Sequence, residues 1–103
     1  MSKKSTAETK VVEQRLRAEF PGYPQRYPPQ AYRYNPACIR VRVVHDMFAG
    51  KDRVERQRLV LPVIRMLPEE TQQEITVLLL LTPQELDRSL MNLEFEKPTP
   101  ARL

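Results

Sequence analysis

The sequence predicts a small α+β domain in which helices pack on one sheet of three strands, and three features carry that expectation. Ile39, Val41 and Val43 alternate with Arg40 and Arg42, the period of a strand with one buried face. Val12, Leu16 and Phe20 recur at the i, i+4, i+8 spacing of an amphipathic helix. A chain of 103 residues, 41% apolar and 29% charged, has room for one domain with a modest core and does not have the composition of a collagen, a coiled coil or a disordered chain. We place that domain at residues 10–92, with flexible ends at 1–9 and 93–103.

The first helix runs from Thr6 to Phe20 and is stopped by Pro21-Gly22. Between Phe20 and Pro36, five prolines alternate with Tyr23, Tyr27, Tyr32 and Tyr34, which denies most of the stretch a helix or a central strand. It reads as an irregular excursion with a short edge strand around Ala31 to Tyr34. The strand Ile39 to His45 follows, then a turn over Asp46 to Gly50. A helical unit starting at Lys51 or Asp52 carries Val54, Val60, Leu61, Ile64 and Leu67, and Pro62 inside it predicts a kink or a junction of two helices near Leu61. Gln57 falls among the apolar positions Val54, Leu61 and Ile64, which makes it a candidate for a buried, hydrogen-bonded amide. Glu74 to Leu81 reads as a third strand, apolar on both faces. Thr82-Pro83-Gln84-Glu85 is a capping box that opens a last helix through Leu86, Leu90 and Leu93.

Charge divides the chain. Residues 1–65 hold fourteen Lys/Arg against six Asp/Glu, and residues 66–103 hold three against seven, giving +8 and −4. The basic part offers Arg40, Arg42, Lys51, Arg53, Arg56 and Arg58 as candidate nucleic-acid contacts. A strand apolar on both faces must cover both, so Thr76, Leu78 and Leu80 are a candidate interaction surface, either for a homodimer or for the Pro/Tyr segment acting as a lid. The four tyrosines could stack bases, but their expected role is to pack the proline-rich loop onto the domain with their polar tips wet.

Catalytic chemistry has few carriers. His45 is the one histidine and Cys38 the one thiol, and seven residues of strand between them put them on opposite faces. Glu69, Glu70, Glu85 and Asp87 read as helix-end and surface charges. We therefore expect no enzyme and no cofactor, with Cys38 the one candidate metal ligand. Two glycines, Gly22 and Gly50, cannot build a Gly-rich phosphate loop or a GxxG clamp. The longest apolar run, Val77 to Leu81, is too short to cross a bilayer, and MSKKSTAETK has no apolar signal core. A cytoplasmic protein with no membrane association is the expectation.

The block IRVRVVHDMFAGKDRVERQRLV resembles the signature region of the BolA family, through Phe48, Gly50, Lys51, Arg56, Gln57, Arg58, Leu59 and Val60. The helix VVEQRLRAEF upstream and the strand ITVLLLLT downstream stand where that family has its first helix and last strand, so the resemblance covers residues 10–90. It implies the element order αββααβα on a mixed sheet similar to a class II KH domain. It also implies a regulatory role, as a DNA-binding factor in transcription and stress response or as the partner of a monothiol glutaredoxin in iron–sulfur or iron homeostasis. Two departures bear on the second role. Gln57 stands at the centre of the family's R-H-R motif, and Thr76 stands where the family has its cluster-ligating histidine. We therefore expect a non-enzymatic binding module, nucleic acid being its first candidate partner. An adaptor for a glutaredoxin or another protein, without a cluster of its own, is the alternative.

Overall fold

The structure is a computed structural model and describes residues 4–96, so the expected flexibility of 1–3 and 97–103 lies outside the described residues. Helix α1 spans Ala7–Glu19 and is capped by Thr6, whose hydroxyl accepts the Thr9 N–H while the Thr9 hydroxyl accepts the Thr6 N–H at 2.8 Å. Val12 and Leu16 on its inner face are fully buried. Strand β1 spans Gln30–Asn35 and β2 spans Cys38–Val44. A single 3₁₀ turn at Asp46–Phe48 leads to Gly50, whose φ of +72° lies in the left-handed region that favours glycine. Asp52 then caps α2, Arg53–Ile64, in a reciprocal box with Glu55. Helix α3 (Glu69–Glu74), strand β3 (Ile75–Leu81), a 3₁₀ segment (Pro83–Arg88) and helix α4 (Leu90–Glu96) complete the chain.

The sheet order is β1-β2-β3. β2 pairs antiparallel with β1 and parallel with β3, so the sheet is mixed and the fold is α+β. On one face Ile39, Val41 and Val43 of β2 meet Val12 and Leu16 of α1 and Val60, Val63 and Ile64 of α2, with Phe48 and Leu80 in the same cluster. Clustering of fully buried β-branched residues on the central strand accounts for its choice as the middle of the sheet.

Several local expectations change. Pro62 does not break α2, which continues to Ile64. The carbonyl its missing N–H would bond belongs to the solvent-exposed Arg58, where water can take over. The junction lies instead after Ile64, and Pro68 opens α3 as its N-cap. Glu74 belongs to α3 and not to the strand. Val54 is exposed and Gln57 and Leu61 are half-buried, because the buried stripe of α2 runs through Val60, Val63 and Ile64. Gln57 is therefore no buried core amide.

The C-terminal region departs furthest. The capping box forms at Thr82 and Glu85, but it opens a 3₁₀ segment that ends at Ser89 before α4 begins. Leu90 and Leu93 are 83% and 58% exposed, whereas Asn92 and Phe95 are buried. Order extends past both expected domain limits, since Thr9 is fully buried in α1 and α4 reaches Glu96. Through α4 the sheet is covered on its second face as well. Phe95 meets Tyr32 edge to face at 5.3 Å, and Leu86 packs on Val44 and Leu81. The expected lid over Thr76, Leu78 and Leu80 is corrected accordingly. Leu78 and Leu80 point into the main core, Thr76 is exposed at a register shift between β2 and β3, and Tyr27 packs on the opposite face beside Leu79.

Candidate functional site

Three of the six candidate nucleic-acid contacts are used inside the molecule. Arg42, expected on the solvent side of β2, is 4% exposed. Its guanidinium donates to Asn92 Oδ1 at 2.6 Å, Gln30 Oε1 at 2.9 Å and Glu96 at 3.1 Å. Arg40 donates to the Tyr32 hydroxyl and to Glu94, both at 3.3 Å, and lies 3.8 Å over the Tyr34 ring. Arg56 donates to both oxygens of Glu85 at 2.6 and 2.9 Å, to the Leu80 carbonyl at 3.0 Å and, through Nε, to the Lys51 carbonyl at 2.9 Å. The pattern of the strand hid the roles of Arg40 and Arg42 because α4 brings carboxylates over a face that periodicity alone leaves to water, and the 3₁₀ segment brings Glu85 to Arg56 of α2 in the same way.

Glu85 is thus an ion-pair partner rather than a free surface charge. The Arg56 guanidinium, with the Thr82 N–H, holds its carboxyl down at about 2. A folded-state value below the ordinary 4.5 means that the stabilisation is present above pH 4.5 and is lost as pH falls towards 2. The pair is about one-third exposed on the Glu85 side, so screening reduces its worth to about 1–2 kcal/mol. Urea unfolding followed between neutral pH and pH 2 is expected to show that loss, with a flatter acid limb in Glu85→Gln.

The tyrosines pack the proline-rich segment. The Tyr23 hydroxyl donates to the Leu16 carbonyl at 3.1 Å and its ring stands edge-on to His45 at 5.1 Å. His45 accepts the Met47 N–H at Nδ1, which leaves Nε2 to donate to the Pro21 carbonyl at 2.7 Å. His45 therefore clamps the loop. Cys38 and His45 stand at opposite ends of β2, and no group of three or more His, Cys, Asp or Glu side chains among the described residues is arranged to hold a metal ion.

A groove of about 930 Å³ lies between α2 and β3. Leu61, Ile64, Leu78 and Leu80 contribute apolar surface, and Met91 reaches it from α4. Lys51, Arg53 and Arg56 line one end of α2 and Arg65 follows the other, so every charged side chain lining the groove is basic. At 100° per residue, Arg53 and Arg65 fall about 120° apart around the axis of α2. Both line the groove all the same, and Arg65 does so as the helical C-cap of α2, with its N–H on the Leu61 carbonyl at 2.9 Å. Arg58 points elsewhere. Arg65, Gln72 and Met91 are among the groove residues that sequence patterns did not indicate; the apolar Leu61, left outside the buried stripe, was the available signal.

The two sheet edges differ. At β1 the Ala31 N–H donates to Glu13 and the Arg33 N–H to the Lys4 carbonyl, both at 2.9 Å. At β3 the Leu81 carbonyl faces β2 and accepts the His45 N–H, so alternation turns the backbone of Leu78 and Leu80 outward. Among the described residues, Arg56 on the Leu80 carbonyl is the one group bonded to that outer edge. Among the described residues no helix is long and apolar enough to cross a membrane. Comparison with protein-family models, with characterised proteins and with solved structures finds no match to this chain.

Proposed function

We propose that this chain is a non-enzymatic, BolA-like binding module that takes a protein partner in the groove between α2 and β3. The observation that carries the reading is the groove itself: apolar surface, exclusively basic charge and an open strand edge in one place. The element order αββααβα supports the BolA-like assignment, as do Phe48 in the core and Gly50 in a turn that needs glycine. A monothiol glutaredoxin belongs to the partner class that such a surface suits, docked without a cluster held at Thr76.

Nucleic acid is the less favoured partner. Arg40, Arg42 and Arg56 are engaged by carboxylates, and no tyrosine lines the groove to stack a base. Lys51, Arg53 and Arg58 remain available to phosphate. Labelled single- and double-stranded oligonucleotides are expected to bind weakly at low salt and to be released at physiological salt. Tight binding with a steep salt dependence, lost in a Lys51→Ala/Arg53→Ala/Arg58→Ala variant, would replace the protein reading with the nucleic-acid one.

A further inference from the structure

We infer that the outer edge of β3 accepts an extended acidic segment of a partner protein as a fourth strand. This rests on the protein-docking reading above and states how the partner lies and what chemistry it carries. The backbone supplies the first argument. The edge of β1 has its Ala31 and Arg33 N–H groups bonded within the molecule, whereas at β3 the outward backbone of Leu78 and Leu80 meets, among the described residues, Arg56 alone. A long apolar edge with free donors and acceptors is a template for strand addition.

Charge supplies the second argument. Arg56 bonds the Leu80 carbonyl, which fixes the start of α2 beside the end of β3, and Arg65 lies at the opposite end of the same groove. From Arg53 to Arg65 a helical rise of ~1.5 Å per residue spans ~18 Å. A strand advances ~3.3 Å per residue, so acidic residues about five to six positions apart meet both basic ends. Between them, alternate apolar side chains meet Leu61 and Ile64 of α2. The same charges disfavour a second copy of this chain as occupant. Pairing two β3 edges about a two-fold axis sets one basic groove rim against the other, with no carboxylate lining either.

Selection from a random peptide library displayed on phage, using the full chain as bait, tests the inference. Enriched peptides are expected to show apolar alternation flanked by Asp or Glu at that spacing, and to lose about tenfold or more in affinity for an Arg53→Glu/Arg65→Glu variant. N-methylation of the peptide supplies the second readout. Methyl groups on alternate residues in the pairing phase are expected to weaken binding about tenfold, and those in the other phase to change it by less than about twofold. Peptides that bind the groove with a helical apolar period, and with no dependence on methylation phase, would overturn strand addition while the docking reading stands. Enrichment of no groove-dependent peptide, with oligonucleotides bound instead, would overturn both. A concentration-dependent dimer that the enriched peptide does not dissociate would assign the edge to a second copy and overturn the acidic partner.

Discussion

Truncation of Phe95 to alanine is expected to destabilise the domain by about 3–5 kcal/mol. Its ring is fully buried and meets Tyr32 edge to face, and the neighbouring Glu94 carbonyl accepts the Tyr32 hydroxyl at 3.2 Å. Removing the ring leaves a cavity over the second face of the sheet and releases the anchor of α4. Leu93→Ala is the control, because Leu93 is 58% exposed and its loss should change stability by less than about 0.5 kcal/mol. Urea unfolding of both variants checks the pair. Equal, small effects would mean that α4 does not belong to the folded domain.

Arg42→Ala is expected to cost about 2–4 kcal/mol, because it strands the buried Asn92 Oδ1 and removes the cation that Glu96 and Gln30 face. Arg42→Met should recover only the packing part of that loss, because a thioether leaves Asn92 Oδ1 as unpaired as alanine does. The methionine refills the volume between the Tyr27 and Phe95 rings, each of which lies 5.6 Å from the guanidinium, which alanine leaves empty. A phosphate-binding arginine would behave differently: alanine and methionine would leave stability unchanged, and both would lower affinity for an oligonucleotide. Stability and oligonucleotide binding measured on the same two variants therefore separate a structural from a recognition role for Arg42.

The spacing of residues determined much of the backbone. Thr6 with Val12 and Leu16, the alternation of Ile39 to Val43, Asp52 ahead of α2 and Gly50 at its turn are signals read within a few residues, and each sits where that local chemistry puts it. The solvent side of β2 was different. Arg40 and Arg42 alternate with valines as exposed residues do, and nothing near them in the chain shows that α4, some fifty residues later, returns to lay Asn92, Glu94 and Phe95 over that face. The same holds for Arg56 and Glu85, which meet only because β3 lies parallel to β2 and returns the chain beside the start of α2. The groove is likewise a product of assembly, since it needs an edge strand, a helix end and Met91 in one place. Local periodicity tells which side chains share a face; which element covers that face is set by the pairing of distant segments, where burial and ion pairing are decided together.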